Sequence, residues 1–177
     1  MINADRTKKI EVLQDNLSSI RKIAGWTTEE FGEKIGVTKQ TISNLENGNS
    51  KMNFTQYIAI RSVLDCEIEE NKNNENNEVL ASVVDIVFNH CENLKEDDYK
   101  GVSEGISTVA AAATGGVAGV ALAGIFKSFV LGLGVLVMPA GGAILGAVAG
   151  AAGAIGAFKG SEWLKNLLKS NKKEENR

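Results

Sequence analysis

Between Thr7 and Ala24 the apolar residues Ile10, Val12, Leu13, Leu17, Ile20 and Ile23 recur at three- and four-residue intervals, the spacing that lines one face of a helix. Gly25 ends the pattern. Thr27 or Thr28 then offers a hydroxyl to the unpaired N–H groups at the start of a second helix, and Glu29 and Glu30 suit its positive end. This helix reaches about Ile35. Gly36 and Val37 make a tight turn, Thr38 caps a third helix over KQTISNLEN, and Gly48 closes it. The expected product is two short helices joined by a three-residue turn. A polar loop, NGNSKMN, leads into a fourth helix from about Phe54 to Leu64, where Ile58, Val63 and Leu64 are available to close a core.

Residues 65–78, DCEIEENKNNENNE, hold almost no apolar side chains and predict a linker, because little burial is available there to offset the entropy of ordering. Residues 79–100 open with renewed helical periodicity through Leu80, Val83, Val84, Val87, Cys91 and Leu94, with Asp85, Asn89 and Glu92 on the polar side. Such a stripe needs a partner. Self-association and packing on neighbouring elements satisfy it equally well.

The pattern changes again beyond residue 100. Of the 19 glycines only Gly25, Gly32, Gly36 and Gly48 lie in residues 1–100; the other 15 fall in residues 101–160 among alanine and valine. Ile106–Phe126 is an uncharged run of 21 residues, and after Lys127 and Ser128 residues 129–158 give 30 more uncharged positions, interrupted by Pro139. Each run is long enough to cross a hydrocarbon core of roughly 30 Å. Gly142, Gly146 and Gly150 repeat at four-residue steps, as do Gly115 with Gly119 and Gly101 with Gly105. Small residues at that step let helices approach closely, so residues 101–160 predict a glycine-zipper hairpin inserted in a membrane. A soluble, Ala/Gly-rich oligomerisation core is the alternative. The tail, residues 161–177, is basic; from Lys159 onward there are six Lys/Arg against three Asp/Glu, which places both chain ends on the cytoplasmic face.

Charge adds little to the picture of the first half. Residues 1–62 carry nine Lys/Arg against seven Asp/Glu, and the whole chain has a formal net charge of −3. Cys66 and Cys91 form no CxxC pair and His90 is the single histidine, which supplies neither a zinc site nor a disulfide framework and points to free thiols in a reducing cytosol. The N-terminus, MINADRTKKIEVL, lacks the apolar stretch of a secretory signal. No catalytic constellation and no phosphate-binding glycine motif is present, so the expectation is a protein without catalysis, cofactor or metal.

The stretch WTTEEFGEKIGVTKQTISNLENG resembles the Xre/Cro/cI class of phage and bacterial repressors, and the resemblance extends from about Leu13 to Leu64. It implies an all-α fold: a five-helix-type, repressor-like helix-turn-helix head over residues 1–64, joined here to the Gly/Ala-rich helical hairpin. In that class the third helix enters the major groove of duplex DNA while the second crosses the phosphate backbone. Phe31, Ile35, Val37, Ile42 and Leu45 would hold the two helices together, leaving Lys39, Gln40, Thr41, Ser43 and Asn44 outward. The resemblance carries Lys39, Gln40 and Asn44 onto base-reading positions, where a lysine suits guanine O6/N7 and amides suit adenine N6/N7. It carries Thr28, Ser43, Asn47 and Lys51 onto phosphate-contacting ones. The family usually has glutamine where this chain has Thr28, and Glu46 resembles an intradomain partner. The expected function is sequence-specific binding of double-stranded DNA by a membrane-tethered, repressor-like regulator acting as a homodimer or higher homo-oligomer. A holin-like or toxin-like membrane effector with an autoregulatory head is the alternative.

Overall fold

The structure is a computed structural model that describes residues 2–71, 75–116, 124 and 126. These residues form six α-helices and no strand: α1 (Ile2–Ile23), α2 (Thr28–Ile35), α3 (Lys39–Glu46), α4 (Phe54–Glu70), α5 (Glu75–Asp85) and α6 (Glu96–Thr114). The all-α expectation therefore holds for them.

α1 is the central post. Its stripe Val12, Leu13, Leu17, Ile20 and Ile23 is buried, and α3, α4, α5 and α6 all pack against it. α2 starts as a capping box: the Glu30 N–H donates to Thr27 Oγ1 at 3.1 Å, and the Thr27 N–H donates to the Glu30 carboxylate at 2.7 Å. The backbone N–H of Thr27, aided by its hydroxyl, holds the Glu30 carboxyl below its ordinary range. Thr27, rather than Thr28, is the cap. Gly36 ends α2 at φ 74°, a left-handed conformation that costs glycine nothing. Gly32 is required for a different reason: a Cβ there would stand 2.7 Å from the Val37 carbonyl oxygen, so its absence lets the turn into α3 close over α2. Thr38 then caps α3, accepting from the Thr41 N–H at 3.2 Å.

The linker expected over 65–78 is mostly helical. α4 continues to Glu70 and α5 resumes at Glu75, with Asp65, Ile68 and Asn77 buried. Ile68 lies four residues beyond Leu64 and extends the α4 stripe of Tyr57, Ile60 and Leu64, while the Asn77 amide donates to the Ile68 carbonyl at 2.9 Å. One apolar residue at the right spacing and one satisfied amide outweigh the polar composition around them.

The single helix expected from residue 79 is divided. Ile86–His90 forms a π turn, Cys91–Asn93 a 3-10 turn, and Leu94 is extended before α6 starts. With more residues per turn than an α-helix, the wide turn narrows the arc over which Ile86, Val87 and Phe88 spread, and all three are buried. Glu96, Asp97 and Asp98 then occupy the first turn of α6, where negative charge is favoured. Burial pushes the Cys91 thiol up to about 12, so it stays protonated.

The first uncharged run is not one continuous helix. α6 ends at Thr114 and Gly116 takes φ 85°, so Ile106–Phe126 is interrupted near its middle. Val102, Ile106, Val109 and Ala110 are buried in the same core as the head. A short polar cluster fixes the α1–α6 contact: Tyr99 Oη donates to the Asp15 carboxylate at 2.9 Å, the Asn16 amide donates to Tyr99 Oη at 3.3 Å, and Ser103 Oγ donates to Asn16 Oδ1 at 3.2 Å. The α6 stripe thus faces protein. Gly115, placed on a four-residue zipper step with Gly119, instead terminates α6. Among the described residues no helix is long and apolar enough to cross a membrane. The run 129–158, with Gly142, Gly146 and Gly150, and the tail 161–177 lie outside the described residues.

Candidate nucleic-acid interface

α2 and α3 form the helix pair with a tight turn that the sequence predicts. Phe31, Ile42 and Leu45 are buried between them and α1, and Ile35 and Val37 pack at the edge. This leaves one side of α3 open. Lys39 and Gln40 are exposed at its N-terminal end, with Asn44 one turn further on and half-buried. Gln40 and Asn44 share a face, and the Gln40 amide donates to Asn44 Oδ1 at 2.9 Å. That bond aligns the two amides and leaves the Gln40 carbonyl oxygen and the Asn44 NH₂ for an incoming donor–acceptor pair. Lys39 Nζ lies 3.9 Å from the Glu29 carboxylate, and both side chains are about two-thirds exposed, so the pair holds Lys39 only weakly.

The expected phosphate-contacting residues frame this face. Thr28 is the first residue of α2 and half-buried. Ser43 and Asn47 stand together at the end of α3, the Asn47 amide donating to Ser43 Oγ at 3.3 Å. Lys51 is exposed in the connection to α4. All seven residues therefore lie on α2, α3 or the segment that follows α3. The acidic Glu29, Glu30 and Glu33, all exposed on α2, keep the surroundings from being strongly basic.

Two residues that position this face escape a reading of apolar periodicity. Arg21 of α1 forms a bidentate pair with Glu46 at the end of α3, Nε to Oε1 at 2.6 Å and Nη2 to Oε2 at 3.0 Å, and its Nη1 donates to the Trp26 carbonyl at 2.8 Å. The role of Glu46 as an intradomain partner is thus realised. Gln14 of α1 bonds three backbone groups between Leu45 and Met52. A signal for both was present: Ile10, Gln14, Leu17 and Arg21 follow one another at helical spacing, and a polar residue on an apolar stripe implies a buried partner.

Comparison with known proteins agrees with this geometry. Residues 17–71 match the family model described as helix-turn-helix. Antitoxin HipB of Escherichia coli O6:H1 is 32% identical over 56 residues, covering 32% of this chain and 60% of that protein. Antitoxin HipB of Escherichia coli strain K12 is also 32% identical over 56 residues, covering 64% of its own length. The chain therefore spans about three fifths of the length of these curated relatives. No solved structure matches it at comparable significance. An open α3 face and a glycine-tightened turn accompany this match, and residues 17–71 are similar to the helix-turn-helix family.

Proposed function

We propose that this protein is a sequence-specific duplex-DNA-binding transcriptional regulator that acts without catalysis or cofactor. The observation that carries the reading is the aligned Gln40–Asn44 amide pair on the exposed side of α3. With Lys39 beside it, this pair offers an amide edge suited to adenine and a cation suited to guanine. Ser43, Asn47, Thr28 and Lys51 flank it as backbone contacts that set register. Because one α3 reads only a few base pairs, useful affinity calls for two copies on paired half-sites. That argues for a homodimer, more so in a head this weakly basic.

Selection of bound duplexes from a random library tests the reading. The parent chain is expected to enrich a motif, and Gln40→Ala and Asn44→Ala both to lose preference at the base pair that the two amides address together, by about 1–3 kcal/mol. Enrichment of no motif by the parent, or the parent's motif by both variants, would sink it.

Attachment to the cytoplasmic face of a membrane is the finer part of the proposal. It is supported by the 30 uncharged positions of residues 129–158 and by the basic tail, since α6 takes up the start of the first apolar run. Full-length protein is expected to stay in the pellet through a carbonate wash and to leave it in detergent; release by carbonate alone would remove the membrane from the reading.

A further inference from the structure

We propose that Gln14 is the positioning residue of the DNA-contacting face, acting as a clamp on the α3–α4 connection that presents Asn47 and Lys51. The inference rests on the DNA-binding reading above. Its starting point is the irregularity of residues 47–53, which leave α3 with Gly48 at φ 70° and hold themselves together by few bonds of their own. The Gly48 N–H donates to the Leu45 carbonyl at 3.3 Å and the Ser50 N–H to the Asn44 carbonyl at 3.2 Å.

The remaining hold comes from α1. Gln14 Nε2 donates to the Leu45 carbonyl at 3.0 Å and to the Ser50 carbonyl at 2.7 Å, and its Oε1 accepts from the Met52 N–H at 2.8 Å. Both amide hydrogens and the carbonyl oxygen are thereby used. The three anchored groups bracket the two side chains of interest: Asn47 lies between Leu45 and Ser50, and Lys51 lies between Ser50 and Met52. Four residues on either side of Ile10, the same helix face carries Arg6 and Gln14. Arg6 places its guanidinium 4.2 Å from the centre of the Phe54 ring, the first residue of α4. One face of α1 therefore runs alongside the connection from the end of α3 to the start of α4.

Gln14 itself lies outside the family match, which begins at residue 17, while the three groups it holds lie within it. Together with the burial of Met52 in the core, the clamp holds in one shape a connection that is otherwise polar. A phosphate contact made by a preformed segment does not have to offset the entropy of ordering that segment on binding.

The test uses the full-length chain with Gln14→Leu and Gln14→Glu. In Gln14→Leu, amide exchange at Met52 in the free protein is expected to accelerate, with the melting temperature of the fold little changed. Affinity for the selected duplex is expected to fall about tenfold, and the slope of log affinity against log salt to become shallower by about one, as for a lost phosphate contact. The order of preference among sites is expected to stay that of the parent. Gln14→Glu faces the Leu45 and Ser50 carbonyls with a carboxylate, and regains a donor only when protonated. Its affinity relative to the parent is therefore expected to recover as pH is lowered through the carboxyl range, which a purely packing role would not produce. Unchanged Met52 exchange in Gln14→Leu, or parental affinity and salt slope despite faster exchange, overturns the clamp. Failure of the DNA reading itself is recognised separately, because the parent then enriches no duplex and the positioning role falls with it.

Discussion

Glu46→Ala is expected to lower the unfolding free energy by about 3 kcal/mol, a large fraction of the stability of a small domain. The side chains of Arg21 and Glu46 are only 12% and 9% exposed, and their two bonds match the guanidinium fork to the carboxylate. Removing Glu46 strands a charge with little access to water and leaves it one bond, to the Trp26 carbonyl. The consequence extends past the pair. Trp26 stacks on Phe31 with ring centroids 5.3 Å apart, and Lys34 lies over its indole, so the α1–α2 corner and the end of α3 share one set of contacts. Urea unfolding of the full-length chain measures the effect. The double variant Arg21→Met/Glu46→Leu is expected to recover most of the loss, because no unpaired charge is then buried. A Glu46→Ala midpoint within the range of an ordinary surface substitution, about 0.5 kcal/mol, would show that solvent reaches the pair freely.

Ile106→Ala is expected to destabilise the head by about 3 kcal/mol, within the range for deleting a buried branched side chain. Ile106 is fully buried, and its neighbours on the α6 stripe, Val102 and Val109, complete the surface against α1. The measurement is the same unfolding transition, followed in addition by amide exchange along α1. Exchange there is expected to accelerate with the loss, since α1 and α6 share one core. If Ile106 sat instead in a separate hairpin, unfolding of residues 7–64 would not respond to it.

The legible parts of this protein are local. Helix starts and stops follow from Thr27, Thr38, Gly36 and Gly48, because a capping hydroxyl or a left-handed glycine acts within one turn of its own position. The open side of α3 follows from Ile42 and Leu45, whose burial turns Gln40 and Asn44 outward. Gly36 is recognisable as a turn residue, whereas the role of Gly32 is not, since the carbonyl its missing Cβ would strike comes from the next segment once folded. Composition misleads at residues 65–78, where Ile68 and Asn77 find partners that a count of polar residues does not register.

The sequence by itself determined that the first 64 residues form a helix-turn-helix head and which side of its third helix faces outward, because caps, turn glycines and a 3.6-residue period act over a few residues. Only the tertiary structure decided what those faces meet. The apolar run beginning at Ile106 has the same pattern whether lipid or protein covers it; the bonds from Tyr99 and Ser103 to Asp15 and Asn16 seat its first turns on α1. Gln14 and Arg21 likewise read as polar interruptions of a stripe until folding brings residues 45–52 within hydrogen-bonding distance. Periodicity specifies a face, and burial and hydrogen-bond geometry specify its partner.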